Sequence, residues 1–218
     1  MLRIHDKNGN FISPAEAIPI LEESGLIIPV GKWIIQNAFS MCTECRKYYP
    51  EFRVSINLSY VQILKSPLMM ELKQIIDHSG ISCSGIIVEL TESGYLEGTP
   101  AVRSVWNDMK QLRIQIALDD FGTGYSNLMN ISNLEPDIVK LDRGFTLKAL
   151  SRSYEYQLMQ YVIEMVHKLN QYVCVEGVET KEDLEKIKAL GPDLIQGYYY
   201  SKPCSRDEFL KKFFDYSE

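Results

Sequence analysis

Apolar, β-branched residues cluster in six short stretches: Val54–Ser59, Gly85–Thr91, Ile114–Phe121, Ile138–Asp142, Val173–Glu179 and Leu194–Ser201. Each is bounded by turn-forming residues and reads as a strand. Between them, over Pro67–His78, Ala101–Leu112, Tyr154–Asn170 and Lys181–Leu190, the pattern lengthens and becomes amphipathic, which predicts helices. Two further helices, Ser13–Glu23 and Val30–Lys47, precede the first of these strands, and Ser205–Phe214 closes the chain. Ser13-Pro14 offers an N-cap followed by proline at the first helical position. Thr180 with Asp183 forms a capping-box pattern, and Gly191-Pro192 ends the helix that follows. Recurrent strand–helix alternation predicts an α/β fold with a mainly parallel sheet. No linker, repeat or low-complexity tract interrupts it.

Composition changes this picture little. Of 218 residues, 45% are apolar and 24% charged, ordinary values for a globular chain of a size that folds as one domain. A net charge of −6 argues against binding duplex nucleic acid through its backbone, but leaves room for a small phosphorylated ligand held by metal ions. No apolar run reaches bilayer length and no signal pattern opens the chain, so membrane contact is not expected and a cytoplasmic location is. Five scattered cysteines suit reduced thiols, and Cys42 and Cys45 read as structural. His5, His78 and His167 lack ligand spacing, which argues against a histidine-based zinc site.

The chemistry lies near strand ends. Asn57 ends the first strand, Glu89 follows Ile86-Ile87-Val88, and Asp119-Asp120 follow Ile114–Leu118. Lys140 and Asp142, two residues apart, share a strand face; Glu176 and Glu179 end the fifth strand, and Gln196 sits in the sixth. A doubly wound sheet collects ligands at one switch point, whereas a (β/α)8 barrel brings every C-terminal strand end to one mouth, so a barrel is expected. Adjacent carboxylates repel unless a cation holds them, and oxygen donors alone suit Mg²⁺ or Mn²⁺. Asp119 could bridge two such ions, with Lys140 placing water or offsetting phosphoryl charge. The turn Gly122-Thr123-Gly124 lacks the third glycine of a dinucleotide fingerprint, since Asn127 stands there, and reads instead as a loop over the metal site. A barrel enzyme using Lys140 as a base on a carboxylate substrate is a further reading by fold analogy.

These motifs, with Glu23-Ser24-Gly25-Leu26-Ile27, Asn57-Leu58-Ser59, Glu89-Leu90-Thr91-Glu92, Asp119–Ser126, Lys140-Leu141-Asp142, Glu176–Thr180 and Gln196-Gly197-Tyr198, resemble the EAL domain, a bacterial phosphodiesterase that cleaves cyclic di-GMP to linear pGpG. The resemblance implies that Asn57, Glu89, Asp119, Asp120 and Glu176 are metal ligands and that two ions, Mg²⁺ or Mn²⁺, are bound. It implies that Lys140 and Glu176 are catalytic, and that Arg3, Asp142 and Gln196 bind substrate. Glu92, Phe121, Gly122, Thr123, Gly124 and Glu179 would support the site and its loop. Cyclic di-GMP as ligand, a homodimer, and a cytoplasmic signalling context are implied as well.

One departure stands out. The family's naming tripeptide, Glu-Ala-Leu, precedes a Leu-Arg pair; here Leu2-Arg3 is that pair and Met1 takes the third letter. The expectation is therefore a TIM-type (β/α)8 barrel missing its first strand and most of its second, a single domain over residues 1–218 that is incomplete at its N-terminus. The glutamate ligand ahead of Met1 would be absent too, which implies weak or no activity for these residues alone. The alternative is an inactive module that senses cyclic di-GMP without cleaving it.

Overall fold

The computed structural model describes residues 3–91, 99–123, 131 and 134–214. Its strands are β1 (Ile4–His5), β2 (Phe11–Ile12), β3 (Val54–Asn57), β4 (Ile86–Thr91), β5 (Gln115–Phe121), β6 (Ile138–Leu141), β7 (Tyr172–Glu176) and β8 (Leu194–Gln196). Its helices are α1 (Pro14–Glu23), α2 (Ile27–Cys45), α3 (Tyr60–Lys65), α4 (Leu68–Ser79), α5 (Pro100–Gln111), α6 (Arg143–Ser151), α7 (Ser153–Lys168), α8 (Lys181–Lys188) and α9 (Arg206–Phe214). β1 and β2 form an antiparallel hairpin, and the other six strands form one sheet in the order β3-β4-β5-β6-β7-β8. Pairing is parallel from β5 through β8. Strands in sequence order joined by helical returns are the α/β pattern that the alternation predicts.

The chain divides into two compact units. The first comprises Met1–Val88, Glu97–Ile114 and Ser205–Glu218. Its α2 buries Ile35, Phe39, Cys42 and Cys45 along one stripe. Burial pushes the Cys45 thiol up to about 11, so both cysteines behave as inert core groups. Gly31 admits Gln62 of α3 so closely that a Cβ there would lie 2.2 Å from Nε2. Ser59 and Gln62 form a capping box at the start of α3. Helix α9 is tied to α2 by Arg206, whose Nη2 donates to Glu44 Oε2 at 2.6 Å, and Phe209 and Phe214 pack around Phe52.

The second unit comprises Glu89–Leu96 and Gln115–Cys204. Ile116, Leu118, Val139, Leu141, Val173 and Val175 are fully buried in its strands, with Met159, Ile163 and Val166 on the covering face of α7. One device recurs at the N-terminal ends of two strands. The Asp137 carboxylate accepts the Ile116 N–H at 2.8 Å while the Asp137 N–H donates to the Ile116 carbonyl. The Asp193 carboxylate likewise accepts the Val173 N–H at 2.8 Å and its own N–H donates to the Val173 carbonyl. Both aspartates follow a proline and open a strand, so each Pro-Asp fixes the register of its strand against the preceding one.

The structure differs from the sequence expectation at several points. The fifth strand stops at Glu176, not Glu179, because Gly177 takes φ +80° and turns the chain. The sixth stops at Gln196, not Ser201. Asp142 is the N-cap of α6 rather than a strand residue, its carboxylate accepting the Gly144 N–H at 2.7 Å.

Candidate active site

The centre of the second unit is Lys140, buried on β6. Its ammonium donates to three carboxylates: Glu89 Oε2 at 3.0 Å, Asp119 Oδ1 at 2.9 Å and Glu176 Oε1 at 2.6 Å. Strand geometry explains the convergence. β4, β5, β6 and β7 are successive strands, and each supplies one residue near the same end. Lys140 pairs in register with Cys174, and Glu176 lies two residues beyond Cys174 on the same face.

Asp120 departs from strand alternation. The pairing of β5 with β6 shifts between Leu118 and Phe121, and Asp120 takes φ +60°. A bulge with a left-handed residue re-aims a side chain at the cost of local strain, and such strain concentrates at functional sites. The Asp120 N–H is satisfied by Asp119 Oδ1 at 3.0 Å.

The electrostatics follow. Burial favours the neutral form of Lys140, but Glu89, Asp119 and Glu176 outweigh it and hold the ammonium well above the ordinary lysine range. The three carboxylates thus favour the charged form of Lys140. Burial raises the Glu176 carboxyl above its ordinary value, although Lys140 pulls it back. Asp120 is raised by burial and then by the charges of Asp119 and Asp142. Cys174, behind these groups, is pushed by burial to about 12 and stays a neutral thiol.

Three carboxylates thus converge on one ammonium, with the Asp120 carboxyl next in sequence to one of them. The donor set is all oxygen, which fits hard divalent cations in chemistry and charge. Among the described residues no three acidic, cysteine or histidine side chains converge on one point as metal ligands, and Glu89, Asp119 and Glu176 meet at Lys140.

The remaining sequence-derived residues fall as follows. Gln196 ends β8, exposed, in register with Glu176. Glu179 lies in the loop after β7 and accepts from Arg143. Phe121 is buried and its carbonyl accepts the Asp142 N–H, while Gly122, at φ +105°, faces Phe145 closely enough that a Cβ would sit 3.0 Å from its ring. Thr123 is exposed. Asn57 ends β3, exposed, and Arg3 lies over the Phe11 ring at 5.7 Å; both belong to the first unit. Glu92 and Gly124 lie outside the described residues. Sequence reading missed Cys174 and Arg143. The period of β7 puts Cys174 on the Glu176 face, whereas nothing in the chain pattern marks Arg143.

These features define an α/β protein with an acidic, oxygen-donor centre built from successive parallel strands around a buried lysine. The chain belongs to the EAL domain family, whose model matches residues 1–203. The cyclic di-GMP phosphodiesterase PdeF of Escherichia coli is 31% identical over 203 residues, 93% of this chain and 27% of that protein. The cyclic di-GMP phosphodiesterase PdeR of the same organism is 32% identical over 203 residues, 93% of this chain and 31% of its own length. The chain spans less than a third of either relative. Among solved structures, the cAMP-bound EAL enzyme Bd1971 superposes with a TM-score of 0.90 at 29% identity, covering 97% of this chain and 60% of that one. The PaMucR phosphodiesterase in complex with c-di-GMP gives 0.88 at 26% identity, covering 96% and 85%. The fold is thus that of the TIM-barrel-like EAL structures. Among the described residues no helix is long and apolar enough to cross a membrane.

Proposed function

We propose that this domain hydrolyses cyclic di-GMP to linear pGpG with the help of two divalent cations, Mg²⁺ or Mn²⁺. The observation that carries the reading is the convergence of Glu89, Asp119 and Glu176 on Lys140, with Asp120 re-aimed beside Asp119. Those four carboxylates, with Asn57, would hold the ions. When bound, the cations lower the pKa of water and neutralise charge on the phosphoryl group. Lys140 supplies a fixed positive charge for a phosphoryl oxygen or the attacking water. Glu176, whose carboxyl burial raises above its ordinary value, is assigned as the general base. Arg3, Asp142 and Gln196 are assigned to substrate, and Glu92 with Phe121–Gly124 and Glu179 to support of the site. A cytoplasmic homodimer is the proposed setting.

The test is incubation with cyclic di-GMP and Mn²⁺, followed by separation of the nucleotides. Linear pGpG supports hydrolysis. A second reading is a sensor that binds cyclic di-GMP without cleaving it. Calorimetric binding of the nucleotide with no pGpG would establish that reading instead.

A further inference from the structure

Arg143 opens α6, immediately after the Asp142 cap and three residues beyond Lys140. Its Nη2 and Nε donate to Glu179 Oε1 at 2.8 and 3.2 Å. Its aliphatic stem covers Gly177: a Cβ on Gly177 would lie 2.3 Å from Arg143 Cγ, 2.8 Å from its Cβ and 3.1 Å from its Cα. Glycine is required there twice over, by φ +80° and by this approach. The opposite side of the same turn is fixed by the end of β8. The Val178 N–H donates to the Gln196 carbonyl at 3.3 Å, the Tyr199 N–H donates to the Val178 carbonyl at 3.0 Å, and Gly197 lies against the Val178 backbone. The residue just before this turn is Glu176, 2.6 Å from Lys140.

We infer that Arg143 is a positioning residue: through Glu179 and the Gly177 backbone it clamps the turn after β7 and so sets the Glu176 carboxylate against Lys140. The ion pair is exposed, with side-chain accessibilities of 56% and 39%, so it adds little to global stability. Its value is geometric. One arginine ties the segment that follows Lys140 to the segment that follows Glu176. A carboxylate at the last residue of a strand has no further ladder to orient it, so its direction depends on the turn that begins next. The inference rests on the phosphodiesterase reading for its catalytic consequence, but not for its structural one.

The test compares Arg143→Ala, Glu179→Ala and the double variant with the parent chain. In metal-free protein, amide hydrogen exchange at Val178 should accelerate at least about tenfold in each variant while the β7 core amides hold, as expected for local rather than global opening. The melting temperature should stay within about 2 °C, as expected for an exposed pair. Mn²⁺ affinity, read by calorimetry, should fall by about tenfold, and kcat likewise with KM within about twofold, the usual effect of removing a group that orients a ligand. The double variant should be no worse than Arg143→Ala, since the two residues act as a unit. Unchanged exchange at Val178 overturns the inference even if the parent hydrolyses cyclic di-GMP. So does faster exchange with Mn²⁺ affinity unchanged, or single effects that multiply in the double variant. A parent that releases no pGpG contradicts the phosphodiesterase reading instead, and exchange and Mn²⁺ affinity then decide on Arg143 alone.

Discussion

Two residues carry the tension of the site, and each can be tested by substitution. Asp120 holds a left-handed backbone and a carboxyl raised by burial and by its acidic neighbours. Asparagine tolerates that backbone and removes the charge. Asp120→Asn should therefore raise the melting temperature of the metal-free protein by about 2–4 °C, and should abolish the further rise that Mn²⁺ gives the parent. Differential scanning fluorimetry in EDTA and in Mn²⁺ checks both halves. Lys140 is the opposite case. Its folded pKa lies above the ordinary value of 10.5, so its stabilisation is fully present below that value and is lost only as pH rises through the folded value. Removing it by Lys140→Met strands three buried carboxylates and should cost about 3–5 kcal/mol at pH 7.5. The loss should shrink at pH 5. Glu176 is a carboxyl whose folded pKa lies above its ordinary value of 4.5, so the folded state binds more protons between the two values and stability falls as pH rises through that window. Urea midpoints at the two pH values read the difference; a pH-independent loss would contradict it.

At the level of elements, the paired Pro-Asp devices predict separable costs. Asp137→Ala leaves the Ile116 N–H without its partner and Asp193→Ala does the same to Val173, each by about 1–3 kcal/mol in denaturant unfolding. Asp193 also contacts His167 Nε2 at 2.9 Å, so its replacement should cost at least as much as that of Asp137. Six strands and seven helices were legible in the sequence because their apolar runs and caps agree: Ser13 caps α1 and Thr180 with Asp183 closes a capping box on α8, as their spacing predicts. The elements that escaped are short or share residues with the site. α3 has six residues and β1 and β2 two each, too few for a period to show. α6 was hidden because Asp142 reads equally as a strand-end carboxylate and as an N-cap. At the site, residue types and strand ends were readable for Glu89, Asp119, Lys140 and Glu176. The direction in which they point was not. That Lys140 takes all three carboxylates at once depends on four successive strands bringing them to one place, and the Arg143 clamp on a contact across 36 residues.

For the whole molecule, the proposed function has divalent cations complete the charge of the acidic centre of this EAL-family chain for phosphodiester hydrolysis. Mn²⁺ should stabilise the parent by RT ln(1 + [L]/Kd), about 2.7 kcal/mol at a hundred times Kd, and EDTA should reverse the gain. The measurement that bears most directly on the claim is the rate of pGpG formation from cyclic di-GMP in Mn²⁺, for the parent and for Lys140→Met and Asp120→Asn side by side. The proposed function predicts slow turnover by the parent, none in EDTA, and a loss of at least about a hundredfold in either variant, as for removal of a preorganised charge at a reacting centre. Turnover that persists in EDTA, or that survives both substitutions, would contradict it.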